Sequence, residues 1–100
     1  TFATARTDLD AAWLLTMRAA TLLDRGEAAR AESSMAKLHA TEACGRTVDA
    51  MLQLHGGYGY SREYPIERYY RDARVTRIYE GANEIQKQLI ARMMLRGRLS

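Results

Sequence analysis

The chain has 100 residues, of which 47% are hydrophobic and 27% charged, a composition typical of one small globular domain. Its net charge of +3 is too small to indicate nucleic-acid binding by itself, and no apolar run reaches the roughly 20 residues of a membrane-spanning helix. The single cysteine, Cys44, cannot form an intrachain disulfide, which favours a reducing compartment. Alanine, leucine, methionine, arginine and glutamate dominate, so the composition predicts an all-α fold.

Two long helices are predicted in the first half of the chain. Apolar residues at helical spacing indicate a first helix over residues 2–25, ended by Gly26 as a left-handed cap. A second helix, with an alanine-rich face, is predicted over residues 28–54. Gly45 in its interior costs about 1 kcal/mol relative to alanine, which suggests a close contact with a neighbouring backbone. The short connection makes the two helices antiparallel neighbours.

The first helix has an unusually wide apolar arc, and such an arc predicts neighbours on two sides. Two stripes of residues form it: Phe2, Leu9, Ala12, Trp13, Thr16, Ala20 and Leu23 in one, and Leu15, Ala19 and Leu22 in the other. Long antiparallel helices of this kind usually belong to bundles of four. The sequence therefore predicts an incomplete up-down four-helix bundle, and a chain that is a fragment of a larger protein.

Shorter elements are predicted after the second helix. A loop over residues 58–64 leads to Pro65, which is favoured in the first turn of a helix and opens a third helix over residues 66–73. The β-branched run over residues 74–79 does not favour regular helix. A turn over residues 80–83 follows.

Glu80 lies at this turn, and the residues alone leave two interpretations open. The turn leads into a last helix that Gly81 or Asn83 is predicted to cap and Gly97 to end. A carboxylate ahead of a helix gains about 0.3–1 kcal/mol from the macrodipole, so Glu80 could be a simple capping anion. Alternatively it is a general base, because Gly81 leaves room for a substrate and backbone N–H groups at the turn could polarise a carbonyl. That arrangement suits proton abstraction next to a carbonyl.

Other patterns in the sequence are weaker. Residues 56–59, GGYG, fit no phosphate-binding motif and indicate either a helix stop or a close approach of backbone to a ligand. Arginines recur every third position over residues 68–77 among tyrosines, as in some nucleic-acid-binding proteins, but interleaved acidic residues favour a salt-bridged scaffold. His39 and His55 are too far apart for a local metal motif, and no metal site is expected.

Four motifs resemble, in their order and spacing, the C-terminal signature of the acyl-CoA dehydrogenases. They are QLHGGYGY at 53–60, EYPIER at 63–68, RDAR at 71–74 and IYEGANEIQ at 78–86. The helical stretch over residues 1–52 is similar to the same domain more loosely. The resemblance implies that the chain is the C-terminal part of a larger flavoenzyme. That enzyme's N-terminal helical domain, its middle β domain and the first helix of its C-terminal bundle are then expected to lie outside this sequence.

The resemblance also implies a reaction and a cofactor. Family members use FAD and remove the α-proton of an acyl-CoA thioester while a β-hydride passes to flavin N5. In most members the base is the Glu of a Tyr-Glu-Gly motif, a position that Glu80 occupies here. Tyr79 and Gly81 are implied to contact the substrate.

Two segments are implied to contact FAD. The first, which is expected to reach the FAD of a neighbouring subunit, comprises Gln53, Leu54, His55, Gly56 and Gly57. The second comprises Ala82, Asn83 and Glu84. The family usually has Thr where Ala82 stands, so a hydroxyl contact to the flavin is expected to be missing.

The partners implied are an acyl-CoA substrate, electron-transferring flavoprotein, and further copies of the chain in a homodimer or homotetramer. Neither nucleic acid nor a membrane is expected, and the compartment implied is the bacterial cytoplasm or the mitochondrial matrix. Three alternatives stay open: an acyl-CoA oxidase, a DNA-alkylation-response relative, and a non-catalytic oligomerisation module. Dioxygen reactivity of the reduced flavin distinguishes the first alternative, and a steep salt dependence of DNA binding distinguishes the second.

Overall fold

The computed structural model describes residues 1–79 and 81–97. This part of the chain contains α1 (Phe2–Asp24), α2 (Arg30–His55), a 3₁₀ helix (Gly56–Tyr60), α3 (Ile66–Val75) and α4 (Asn83–Leu95), and no strand. The predicted all-α class is therefore confirmed. No helix within the described residues is long and apolar enough to cross a membrane.

An antiparallel hairpin of α1 and α2 forms the long axis of the molecule. Asp8, near the start of α1, pairs with Arg46 in the second half of α2 at 3.3 Å. Gly26 has φ +81° and turns the chain directly after α1, as predicted. α2 begins at Arg30 rather than at the predicted residue 28, because Ala29 adopts φ +50° and interrupts the helical backbone.

The central element is α2, because all the other elements pack on it. α1 follows it along its length, α3 lies near its C-terminal half, and α4 lies against its N-terminal half. Within the described residues, α1, α3 and α4 make no close backbone contact with one another. The buried residues of α2 are small, which lets its neighbours approach closely. They are Ala31, Ser34, Ala36 and Ala43.

The outer face of α1 is apolar and exposed. Phe2, Trp13 and Leu14 are 71%, 64% and 68% exposed, while Ala12 and Ala19 are buried against α2. The radius of gyration is 15.8 Å, against about 13 Å for a compact domain of this length. The fold is the predicted incomplete up-down four-helix bundle, in which no described residue covers this face.

Two boundaries in the second half of the chain differ from the predictions. The predicted loop over residues 58–64 begins inside the 3₁₀ helix, because Gly59 packs closely under Leu52. A Cβ on Gly59 would lie 2.8 Å from the Leu52 carbonyl oxygen. α3 extends to Val75, two residues into the run predicted to be irregular, and turns follow it.

Both predicted caps of α4 were wrong, since Ala82 occupies the N-cap position and Asn83 is already the first helical residue. Asn83 turns its side chain towards α2 instead of towards its own helix. The other end of α4 agrees with the prediction, since Gly97 has φ +66° directly after the last turn.

Candidate active site

Glu80, the predicted base, lies outside the described residues, but both residues that flank it are described. Tyr79 is 52% exposed. Gly81 is exposed and has φ +92°, a conformation that L side chains rarely adopt. A Cβ at this position would also collide with the amide nitrogen of Gln86. Glycine is therefore favoured here by its own backbone conformation, while the space that a Cβ would occupy is filled by the Gln86 amide.

Backbone hydrogen bonds hold both ends of the turn. The Tyr79 N–H donates to the Val75 carbonyl at 3.2 Å. The Asn83 N–H donates to the Arg77 carbonyl at 3.1 Å, which joins the start of the turn to its end. This contact occupies one of the N–H groups that the sequence offered for polarising a substrate carbonyl.

Three side chains of α2 bind Asn83, which is 3% exposed. Lys37 Nζ donates to Asn83 Oδ1 at 2.7 Å. Asn83 Nδ2 donates in turn to Thr41 Oγ1 at 3.0 Å and to Glu42 Oε1 at 2.9 Å. Because buried amides are costly to leave unpaired, these bonds fix the start of α4 against α2.

Arg77 completes the polar cluster from the other side of the turn. Its Nη1 lies 3.3 Å from Glu42 Oε2. The pKa of Glu42 lies below its ordinary value, first because Asn83 donates a hydrogen bond to the carboxylate and then because Arg77 bonds to it, while partial burial opposes the shift. A Cβ on Gly45 would lie 3.5 Å from the Arg77 guanidinium carbon, so a side chain, and not the predicted backbone, lies against that glycine.

Sequence reasoning missed the α2 side of this cluster. Lys37, Thr41 and Gly45 are spaced four residues apart and therefore form one stripe on α2, beside the alanine face. Gly45 was the feature of the sequence that could have indicated it. A glycine in line with polar residues on one helix face suggests that a polar side chain from another element packs there. Gln86, which donates to the Gly81 carbonyl at 3.2 Å, was missed as well.

The two segments predicted to contact FAD lie apart. Residues 53–57 are exposed at the end of α2, whereas Asn83 lies beside Glu42, 11 residues or about 16 Å back along the same helix. Of the second segment, Ala82 is half-buried, Asn83 is buried and Glu84 is exposed.

A surface groove of about 300 Å³ lies at the first of these segments. Gly56 has φ +63°, and a Cβ built on either Gly56 or Gly57 would meet nothing within 4 Å among the described atoms. Bare backbone is therefore presented at an open surface. The groove is lined by Asp49, Leu52, Gln53, Gly56, Gly57 and Tyr60.

The arginines over residues 68–77 are in part engaged in ion pairs. Arg71 pairs with Glu67 at 2.9 Å, as the interleaved acids suggested. Arg77 pairs instead with Glu42 of α2, a partner that the local sequence does not indicate. Both pairs support the scaffold interpretation over a nucleic-acid surface.

Comparisons with known proteins identify the family to which this helical domain belongs. Residues 1–95 match the family model described as the acyl-CoA dehydrogenase C-terminal domain. The chain therefore belongs to the acyl-CoA dehydrogenase family, whose members are FAD-dependent oxidoreductases. The resemblance seen in the four sequence motifs is confirmed.

Individual relatives agree with the family match. The chain is 48% identical over 90 residues to the caffeyl-CoA reductase-Etf complex subunit CarC of Acetobacterium woodii. The aligned region covers 90% of this chain and 24% of that protein. It is 52% identical over 88 residues to the mitochondrial short-chain specific acyl-CoA dehydrogenase of Rattus norvegicus, with 88% and 21% covered.

A solved structure shows the same fold. Butyryl-CoA dehydrogenase from Megasphaera elsdenii superposes with a TM-score of 0.86 at 37% identity, over 90% of this chain and 24% of that one. The chain thus spans less than a quarter of the length of each of these relatives.

Proposed function

We propose that the chain is the C-terminal part of an FAD-dependent acyl-CoA dehydrogenase in which Glu80 abstracts the α-proton of an acyl-CoA thioester. The observation that carries this proposal is the family match over residues 1–95, because that range includes the Tyr79-Glu80-Gly81 motif. The geometry around the motif supports it, since Gly81 is exposed and Tyr79 half exposed beside it.

The residues present fit the cofactor. Gly56 and Gly57 present bare backbone at an open groove, which lets a ligand approach the main chain closely. Ala82 and Glu84 at the start of α4 are accessible for a second contact. We propose that residues 53–57 contact the FAD of a neighbouring subunit and that residues 82–84 contact another FAD.

FAD, when bound, supplies the acceptor at N5 for the β-hydride. The role of this chain in the reaction is to remove the α-proton and to hold the thioester. Glu80 is placed in sequence between an exposed tyrosine and an exposed glycine. The proton moves from the α-carbon to the Glu80 carboxylate, and the electron pair left on the α-carbon forms the new double bond as the hydride departs.

The reverse direction is a second candidate, because the relative from Acetobacterium woodii is named a caffeyl-CoA reductase. A base that takes the α-proton in one direction returns it in the other, so the same carboxyl serves both reactions. The ratio of the rates of acyl-CoA oxidation and enoyl-CoA reduction distinguishes the two candidates.

We also propose electron-transferring flavoprotein as the redox partner, supported by the same relative's description as a subunit of an Etf complex. The cross-subunit role of residues 53–57 requires a homodimer or homotetramer. For the compartment we propose the bacterial cytoplasm, with the mitochondrial matrix as the alternative, since a mitochondrial relative is similar as well.

The test is Glu80→Gln in the full-length flavoprotein, followed by anaerobic mixing with a short acyl-CoA such as butyryl-CoA. The rate of flavin bleaching is expected to fall by about 10²–10⁴-fold, the usual contribution of a general base. Glu63→Gln, the same change at an exposed carboxylate, is the matched control and is expected to keep the parent rate. An unchanged rate in Glu80→Gln would show that the base lies elsewhere.

A further inference from the structure

Lys37, in the N-terminal third of α2, reaches the turn that precedes α4. Its ammonium donates to the Gly81 carbonyl at 2.9 Å and to Asn83 Oδ1 at 2.7 Å, across 44 and 46 residues of sequence. It therefore contacts the residue directly after Glu80 and the first residue of α4. No family motif in the sequence includes Lys37, and the reaction as proposed assigns it no role.

The Gly81 carbonyl has two donors, because the Gln86 amide also bonds to it at 3.2 Å. A carbonyl held from two directions cannot rotate, and the rest of its planar peptide unit is fixed with it. The peptide unit that joins Gly81 to Ala82 is thus held by side chains of two different helices. Lys37 is the only one of the two donors that lies outside α4.

The other end of the turn is fixed through the same residues. Asn83 binds Lys37 and Glu42, and Glu42 binds Arg77, which lies three residues before Glu80 in sequence. The Arg77 carbonyl accepts the Asn83 N–H, so Arg77 and Asn83, the described residues on either side of the turn, are bonded to each other as well as to α2.

We propose that Lys37 is a positioning residue for the base: by holding the Gly81 carbonyl and Asn83 it sets the conformation of the turn that carries Glu80. This inference rests on the proposed role of Glu80. It assigns to Lys37 no contact with substrate or flavin, and no proton transfer. A small displacement of a reacting group is costly in rate, which is why such a contact matters to the reaction.

The experiment compares Lys37→Met with Lys87→Met in the full-length flavoprotein. These are the two lysines of the chain, and Lys87 is exposed on α4. The limiting rate of anaerobic flavin reduction by butyryl-CoA is expected to fall by about 10–100-fold in Lys37→Met and to keep its parent value in Lys87→Met. The FAD content and the apparent affinity for butyryl-CoA are expected to stay near those of the parent in both variants.

A second readout does not depend on turnover. Amide hydrogen exchange of the peptide that covers residues 78–84 is expected to become faster in Lys37→Met, while the amides of α2 keep their protection. An overall stabilising role would instead speed exchange throughout the domain and lower the FAD content in parallel with the rate, and that pattern would overturn the proposal.

Gln86→Met keeps the proposal testable if Lys37→Met does not fold. It removes the second donor to the Gly81 carbonyl and keeps most of the side-chain volume. A smaller loss of rate and faster exchange over residues 78–84 are expected, and a variant that matches the parent in both would count against the inference.

The outcomes separate this inference from the proposed function. If Glu80→Gln abolishes flavin reduction while Lys37→Met behaves as Lys87→Met does, Glu80 is the base and Lys37 does not position it. If Glu80→Gln has no effect, the proposed function fails first, whatever Lys37→Met shows.

Discussion

The outer face of α1 exposes large apolar side chains, whereas the junction between α2 and α4 buries polar ones. On α1, Phe2 and Trp13 are 71% and 64% exposed, and no described residue covers them. At the junction, Asn83 and Gln86 are 3% and 9% exposed, and each has a hydrogen-bond partner. The α1 face would therefore gain stability if another element covered it. The geometry of the α2–α4 junction, in contrast, is already fixed by hydrogen bonds.

Energetics explain why the two regions should respond differently to substitution. Burying one large apolar side chain contributes about 1.5–3 kcal/mol, so the α1 face has stability to gain from any element that covers it. A buried polar group that loses its partner costs about 1–3 kcal/mol, so substitutions at the junction are expected to lower the stability. Four substitutions test this contrast.

The largest loss is expected for Asn83→Leu, which removes the shared partner of Lys37, Thr41 and Glu42. The free energy of unfolding of the full-length protein should fall by about 2–4 kcal/mol, because several part-buried polar groups lose a bond together. Gln88→Leu makes a similar change at an exposed position of the same helix and should stay within about 0.5 kcal/mol. Denaturant titration measures both, and equal losses would contradict a fixed polar junction.

Trp13→Gln tests whether the exposed apolar face of α1 is covered in the full-length protein. If the rest of the full-length protein covers the α1 face, the variant should lose about 1–3 kcal/mol of unfolding free energy. Leu95→Gln, at a residue of α4 that is 90% exposed, provides the control and should change little. Thermal and denaturant unfolding measure the stability of both variants. A Trp13 variant that behaves like the control would show that the α1 face stays exposed to water.

A smaller effect is expected from pH. The pKa of Glu42 is lowered in the folded state, so its contribution to stability is present above its ordinary value of 4.5 and is lost as the pH falls through the folded-state pKa. The advantage of the parent over Glu42→Gln should therefore shrink as the pH is lowered from neutrality to below that value. Urea titrations across this pH range test it.

The smallest effect is expected at the exposed ion pair of α1. Arg6 and Asp10 lie 3.2 Å apart with side chains 79% and 60% exposed. Asp10→Asn should cost about 0.2–0.5 kcal/mol at low salt and less in concentrated salt, because solvent and ions screen such pairs. A loss as large as that of Asn83→Leu would remove the contrast between the two regions.

Local sequence determined much of this fold. Helical periodicity predicted all four helices, and Gly26 and Gly97 end α1 and α4 as predicted. The errors are at positions where a contact distant in sequence prevails over local preference. Asn83 is a favoured cap residue, yet its amide binds α2 and leaves the cap position to Ala82.

The candidate site was predicted only in part, for the same reason. The motif indicated Glu80 and Gly81, because their spacing is local. Lys37 and Glu42 lie 44 and 41 residues from the groups that they bind, and only the packing register of α2 against α4 brings them there. Short-range patterns contain no information on that register.

Gly45 connects a position in the middle of α2 to the conformation of the turn. A side chain larger than a methyl group at this residue would meet the Arg77 guanidinium, which is bonded to Glu42 and through it to Asn83. In a lineage or a library, residues 45, 77, 42 and 83 are therefore expected to covary, although 45 and 83 are 38 positions apart in sequence. Variants that alter the conformation of the turn would then arise at a glycine that is remote from it in sequence.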